Sequence, residues 1–264
     1  MYNKSINIKF IRKENYQIWF NNDFEQTVNK IFQTYQPEDL IYQGEAIKIS
    51  KKAISRKFEN IFLKITNFPF LEGAFRHIFL RERYRNAWNI SIIASNLDIA
   101  IPTPIFYLEI LFYKIPWQSF FAIEYIHNSV NIEKFAQQLV EKKLTEPLKK
   151  LFSELSATIS NLWANNLYHR DLSGKNILTV DGSKIYLVDL DSVKILKNFS
   201  LQHKLKNLVQ IYDSFCDYVE DELLKNCIFS LLPEYNFNTK EEIYQKVKKL
   251  QIIRRSNHIK NLKK

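Results

Sequence analysis

The sequence predicts an α+β fold in two lobes: a small antiparallel sheet carrying one helix, followed by a mainly helical half. Three observations lead there. The runs EAIKIS, NIFLKI, IFYLEILFY and SFFAIEYI in the first half are short and rich in isoleucine and phenylalanine, which is the composition of strands. From Thr145 onward apolar residues recur instead at helical spacing. Between the two kinds of pattern and the C-terminus, residues 167–191 (LYHRDLSGKNILTVDGSKIYLVDLD) gather a histidine, an arginine, aspartates, an asparagine and lysines around two short apolar runs.

Residues 1–39 form an extension, read either as an added strand and helix packed on the smaller lobe or as a partly disordered arm. Residues 40–128 form that lobe. EAIKIS and NIFLKI are its first two strands, separated by the basic KKAISRKFE. Residues 75–97 lack proline and glycine and space their apolar groups as a helix does, and IPTP then blocks its continuation. With IFYLEILFY and SFFAIEYI the order is β-β-helix-β-β. The boundary falls near His127 to Asn131, so that 129–264 is the helical lobe. There Thr145 is the expected N-cap, Pro147 lies in the first turn, and Leu148, Leu151, Leu155, Ile159 and Leu162 form the buried stripe. No internal repeat or low-complexity linker is visible.

A 46% hydrophobic content in 264 residues is ample for a core. The only glycines are Gly44, Gly73, Gly174 and Gly182, so no loop can be built from a run of them. The net charge of +10, densest in KVKKLQIIRRSNHIKNLKK, favours an anionic partner: nucleic acid, an acidic lipid surface or a phosphorylated small molecule. A solvated basic helix explains the same charge equally well. Cys216 and Cys227 have no metal-binding spacing, so reduced thiols are expected rather than a disulfide framework. The N-terminal residues carry no apolar signal region, and the most apolar stretch, 90–113, is broken by Asp98, Pro102, Pro104 and Glu109. Any membrane contact is expected to be peripheral.

The runs NILTV and KIYLV flank Asp181-Gly182, a hairpin signal. Folding that hairpin brings Asn176, just before its first strand, to Asp189, just after its second. Two hard oxygen ligands at one edge suit Mg²⁺. Asp171 lies on the loop leading into the same edge.

His169-Arg170-Asp171 with Asn176 five residues on, and Asp189 thirteen beyond that, resembles the catalytic loop and metal-binding aspartate of the protein-kinase superfamily. The resemblance implies that Asp171 accepts or orients the substrate hydroxyl's proton and that Asn176 and Asp189 hold Mg²⁺ against the phosphates of ATP. It makes Lys175 a candidate for neutralising the transferred phosphoryl group, although an exposed loop lysine accounts for it as well. It points to Lys64 as the strand lysine that meets the α and β phosphates, to Glu82 as its helix partner, and to the backbone from Glu124 to Ile126 as the hinge that meets adenine. ISKKAIS stands where a Gly-rich loop is expected, so Lys51 or Lys52 would supply by charge what backbone amides usually do. Only 75 residues follow Asp189, too few for the usual peptide-docking half.

Taken together, YRNAWNISIIASNLDIAIPTPIFYLE, FFAIEYI, HRDLSGKNIL, IYLVDLDSVKI and LKNLVQIYDSF look like the lipopolysaccharide core kinase family of Gram-negative bacteria. That implies an ATP- and Mg²⁺-dependent kinase acting on a Kdo or heptose hydroxyl of a lipid-linked core oligosaccharide. Its expected place is the cytoplasm, peripheral on the anionic inner face of the inner membrane. A RIO-like or other small-molecule kinase shares parts of these motifs, and a nucleotide-binding pseudokinase is a third reading, motivated by the missing glycines. Nucleic acid is the less favoured partner.

Overall fold

The computed structural model describes residues 6–79 and 83–262. The chain divides into two compact units, 1–127 and 128–264.

The first unit is built on a seven-stranded antiparallel sheet. Its strands are β1 (Ile8–Arg12), β2 (Tyr16–Asn21), β3 (Glu45–Ile49), β4 (Ala53–Phe58), β5 (Ile61–Thr66), β6 (Pro104–Phe112) and β7 (Ile115–Glu124), in the order β1-β2-β6-β7-β5-β4-β3. Residues 8–34 thus extend the sheet by two strands and add the helix α1 (Glu25–Thr34). The basic stretch expected to separate two strands forms a third, β4, because Ile54 and Phe58 alternate with polar residues and bury on one side.

The sheet is covered on both faces. On one, Ile18, Phe20, Ile54, Leu63, Ile65, Leu108, Phe120 and Ala122 pack with Val28 and Ile31 of α1. On the other, Tyr107, Phe121 and Ile123 pack with Tyr84, Ala87 and Trp88 of α3 (Arg83–Asn96). Helix is described over α2 (Phe70–Phe79) and α3, on either side of residues 80–82, and Glu82 lies outside the described residues. Helix α2 lies so close to β7 that a Cβ on Gly73 would come within 2.1 Å of the Trp117 carbonyl oxygen. Glycine is required there by space alone.

Side chains alternate along β6, so Glu109 shares the α3 face with Tyr107. It is fully buried. Arg85 of α3 donates to Glu109 Oε1, Gln17 of β2 donates to Oε2, and Tyr107 donates to Oε1 at 2.5 Å. A buried carboxylate is tolerable only when its lone pairs are occupied in this way. The arrangement ties β2, β6 and α3 at one point. Burial works against the charge on Arg85, but Tyr107 and Glu109 outweigh it and raise the guanidinium pKa.

The second unit is mainly helical. It contains α4 (Ile132–Glu141), α5 (Thr145–Ala164), α6 (Leu201–Phe215), α7 (Asp221–Ser230) and α8 (Phe237–Leu262), with the short strands β8 (Val130–Asn131), β9 (Leu167–His169), β10 (Ile177–Thr179), β11 (Ile185–Leu187) and β12 (Val193–Ile195). The five stripe residues of α5 are all buried. The helix start differs in detail from expectation: Leu144 is the N-cap residue, with no side-chain cap, and Thr145 is the first helical residue. Cys227 is buried, and burial pushes its thiol up to about 11, leaving it inert.

Helix α8 is clamped to α6 and α7 by carboxylates. Arg255 donates from Nε to Asp213 Oδ1 at 2.6 Å and from Nη1 to Asp217 Oδ1 at 2.8 Å. Asp221 accepts from Tyr244 at 2.5 Å, Tyr212 at 3.1 Å and Lys248 at 2.9 Å. Among the described residues no helix is long and apolar enough to cross a membrane.

Two outcomes are expected. Arg85→Ala should lower stability by roughly 2–3 kcal/mol in denaturant titration, less than for a fully buried pair because Arg85 is half-exposed. Asp221 titrates below its ordinary value: burial opposes the shift, but the hydrogen bonds from Tyr244, Lys248 and Tyr212 outweigh it. A depressed folded-state pKa means that its contribution is present above the ordinary aspartate value of 3.8 and lost as pH falls through the folded value. Asp221→Asn should therefore flatten the acid limb of the stability curve below about pH 4 while lowering stability at neutral pH.

Candidate active site

The segment around His169 is held by a backbone framework of two short strand pairs. Strand β9 pairs with β12, so His169 lies opposite Val193. Strand β10 pairs with β11, placing Ile177 opposite Leu187. The pairing continues outward, with the Val188 amide donating to the Asn176 carbonyl at 2.9 Å. Asn176 therefore sits across from the residue preceding Asp189. The connection between the two strands is longer than a tight two-residue turn and runs over residues 180–184. Thr179 organises it, its hydroxyl donating to the Lys184 carbonyl at 2.8 Å and accepting from the Gly182 amide at 2.8 Å. Gly182 adopts φ +81° and lies against the ring of Phe135, so both backbone and space call for glycine.

His169 is fully buried. Its Nδ1 accepts from the Asp171 amide at 3.2 Å, which leaves the proton on Nε2, donated to the Val188 carbonyl at 3.0 Å. The neutral imidazole thus joins the loop carrying Asp171 to the strand that delivers Asp189. Arg170 adds a second tie, its Nε donating to the Ser192 carbonyl at 2.9 Å. Both side chains bond backbone groups of neighbouring segments.

Asp171 and Asn176 are in direct contact. Asn176 Nδ2 donates to the carboxylate Oδ2 and the carbonyl oxygen of Asp171, both at 2.9 Å. With its nitrogen so committed, the amide orientation is fixed and Oδ1 is the atom left to accept. Asp189 takes the left-handed conformation (φ 61°, ψ 43°), one that aspartate tolerates better than most residues. The turn it makes leads into a short 3-10 segment, Leu190–Ser192. Among the described residues no group of three or more histidine, cysteine or acidic side chains forms a metal cage. One amide oxygen and one carboxylate nevertheless fit a magnesium ion, which takes few protein ligands and completes its shell with water and phosphate oxygens. Lys175 lies exposed in the 3-10 turn Gly174–Asn176.

Sequence reasoning missed the residues that support this loop from below. On α6, Asn207, Gln210 and Ser214 fall on one face of the helix. Asn207 Nδ2 donates to the His169 carbonyl at 2.7 Å and Gln210 Nε2 to the Arg170 carbonyl at 2.7 Å. Gln210 Oε1 accepts from the Leu172 amide at 3.0 Å, and the Ser214 hydroxyl accepts from the Gly174 amide at 2.9 Å. Asn207 also accepts from Trp163 Nε1 at 3.2 Å. The signal was available: polar residues at i, i+3 and i+7 interrupt the apolar face of LKNLVQIYDSF.

The remaining candidates belong to the first unit. Lys64 of β5 is paired with Phe121 of β7, so it stands on the sheet face that α3 covers. Lys51 and Lys52 are exposed in the turn between β3 and β4. Side chains shape this turn in place of glycine. Ser50 Oγ accepts from the Ala53 amide at 3.0 Å, and Asn67 Nδ2 donates to the Ser50 carbonyl at 2.8 Å. At the end of β7 the Glu124 amide donates to the Thr103 carbonyl at 2.9 Å and the Tyr125 amide to the Asn60 carbonyl at 2.8 Å. Those two N–H groups are already engaged within the unit, so an adenine contact at Glu124 to Ile126 has to use other backbone atoms.

An antiparallel sheet bearing the lysine, and a helical unit bearing the His-Arg-Asp loop with its asparagine and aspartate, define a protein-kinase-like fold. Among solved structures the chain is similar to "WaaP in complex with acyl carrier protein", with a TM-score of 0.64 and 16% identity over 88% of this chain and 98% of that one. It is also similar to "ROP18 kinase domain in complex with AMP-PNP and sucrose", with a TM-score of 0.50 and 10% identity over 78% of this chain and 80% of that one. At such identities the likeness establishes the fold. Residues 44–235 match the lipopolysaccharide kinase (Kdo/WaaP) family, and the chain belongs to that family of phosphotransferases. No curated protein matches its sequence.

Removing the supports from α6 should loosen the loop in a residue-specific way. In Gln210→Ala the Leu172 amide should exchange its hydrogen faster, and in Ser214→Ala the Gly174 amide should, as read by hydrogen exchange with mass spectrometry. Asn207→Ala strands a buried carbonyl and an indole N–H and should cost about 1–3 kcal/mol in thermal or denaturant unfolding.

Proposed function

We propose that the protein is an ATP- and Mg²⁺-dependent kinase that phosphorylates a hydroxyl of an inner-core sugar, Kdo or heptose, on lipid-anchored lipopolysaccharide. The observation that carries this reading is the Asp171–Asn176 contact. One amide holds the carboxylate through Oδ2 and, by the same bonds, leaves its own Oδ1 as an acceptor beside Asp189 in sequence register. Family membership supplies the acceptor class.

In this reading Asp171 Oδ1 orients the sugar hydroxyl and takes its proton as the oxygen attacks the γ-phosphorus. The new oxygen–phosphorus bond forms as the bond to the β-phosphate oxygen breaks, and ADP departs. Asn176 Oδ1 and the Asp189 carboxylate hold Mg²⁺, which when bound supplies charge neutralisation to the phosphates. Lys175 offers positive charge to the phosphoryl group in transfer. Lys64 pairs with the α and β phosphates, and Lys51 and Lys52, on a turn with no glycine, contribute charge to the same nucleotide. The backbone from Glu124 to Ile126 meets the adenine through atoms other than the two engaged amides. A lipid-anchored acceptor and a net charge of +10 both favour a peripheral position on the anionic inner leaflet of the inner membrane.

The deciding experiment is the mass of the core oligosaccharide from cells lacking the protein, complemented with wild type or with Asp171→Ala. Restoration of one phosphate by the wild type alone is the expected result. An unchanged core in all three strains would remove the sugar acceptor. In purified protein Asp171→Ala should reduce kcat by about 10²–10⁴ with nucleotide affinity nearly intact, whereas Asp189→Ala should also weaken Mg-ATP binding. Equal and mild effects from both would sink the assignment of roles.

A further inference from the structure

The hairpin joining β6 to β7 turns through two residues, Tyr113 and Lys114, both left-handed at φ 47° and 66°, with Phe112 paired with Ile115. A two-residue turn with both centres at positive φ is the kind that Asn-Gly fills with least strain. Tyrosine and lysine there cost conformational energy, and the fold recovers little of it. Tyr113 is 85% exposed, Phe112 51% and Ile115 40%, and the two rings meet edge to face with centroids 4.6 Å apart.

The next turn along the sheet lies beside this tip. The Leu111 amide donates to the Asn15 carbonyl at 2.7 Å, and the β1–β2 turn is closed by the Lys13 amide donating to the Tyr16 carbonyl at 2.9 Å. That turn contributes Arg12 and Lys13, both exposed. One end of the sheet therefore presents two aromatic rings and an isoleucine beside Arg12, Lys13 and Lys114, with the carboxylates of Glu14 and of Glu38, which accepts from Asn15 Nδ2 at 2.9 Å, at the β1–β2 turn.

We propose that this end of the sheet docks on the surface of an anionic lipid bilayer. Phe112 and Tyr113 enter the headgroup layer, where rings with an apolar body and a polar tip are favoured. Arg12, Lys13 and Lys114 pair with the lipid phosphates. A bilayer suits the shape as well as the charge. A stable protein partner needs roughly 1,000 Å² of complementary surface, which a hairpin tip of four side chains does not offer, whereas a lipid surface accepts a small convex apolar element strengthened by cations. The proposal takes its purpose from the reading of a lipid-anchored acceptor, since docking brings the enzyme to the leaflet that holds its substrate.

The test is the double substitution Tyr113→Asn with Lys114→Gly, which installs the turn sequence the backbone prefers. Thermal unfolding should be unchanged or shifted upward. Sedimentation with phosphatidylcholine vesicles containing about one-third phosphatidylglycerol should show partitioning weakened by about tenfold or more, and Tyr113→Trp should retain it. Wild-type partitioning should fall in high salt and on pure phosphatidylcholine. Equal partitioning of wild type and double variant would overturn the proposal. So would a wild type that ignores the vesicles yet holds an acidic protein through the same tip. Phosphate transfer to a delipidated, soluble core oligosaccharide should be the same in both forms. Its absence from both would remove the enzymatic reading, while vesicle partitioning would still decide the docking surface by itself.

Discussion

The buried imidazole of His169 is the contact on which the arrangement of the second unit's polar residues depends. It accepts from the Asp171 amide and donates to the Val188 carbonyl, so one neutral ring fixes two chain segments to each other, alongside the β9–β12 pairing and the Arg170–Ser192 bond. Because a ring nitrogen can donate or accept but not both, the two bonds hold only in one tautomer. A protonated ring would turn the Nδ1 acceptor into a donor facing the Asp171 N–H. Full burial disfavours that charge.

Around this ring the unit uses side-chain amides where many folds use backbone alone. Asn207 and Gln210 bind the carbonyls of His169 and Arg170, and Asn176 binds the carbonyl and carboxylate of Asp171. An amide supplies a donor and an acceptor in fixed relation, so each bond it makes also orients its other end. Asn176 shows the consequence: its nitrogen bonds fix where its oxygen can serve. The loop is thereby preorganised by uncharged groups.

The first unit solves a different problem with few glycines. At the β3–β4 turn Ser50 and Asn67 satisfy the backbone groups that a glycine-rich loop would leave open, which trades pliancy for an exposed pair of lysines. At the centre of the sheet Glu109 is held by Arg85, Gln17 and Tyr107. This carboxylate links strands of the N-terminal extension and of the family-matched region to α3, the helix that covers the face bearing Lys64. The extension is thus part of one sheet with the rest of the unit.

The sequence by itself determined the elements whose signals are local. The short isoleucine- and phenylalanine-rich runs NIFLKI and IFYLEILFY, the apolar period of α5, and the order and spacing of His169, Asp171, Asn176 and Asp189 are all legible, because hydrophobic runs, periodicity and hairpin pairing act over a few residues. Strand β4 is hidden in the sequence because its arginine and lysine conceal an alternation of only two buried residues. The β6–β7 turn gave no sign because Tyr-Lys is not a turn sequence. What only the tertiary structure decided is which polar residues serve a distant backbone. Glu109 is an ordinary acid in a strand until Arg85, 24 positions away, meets it, and Asn207 is an ordinary helix residue until it reaches a carbonyl 38 positions away. Such partners are chosen by the packing of whole elements, and burial then makes the choice binding, since a buried polar group left without its partner costs more than the bond itself contributes.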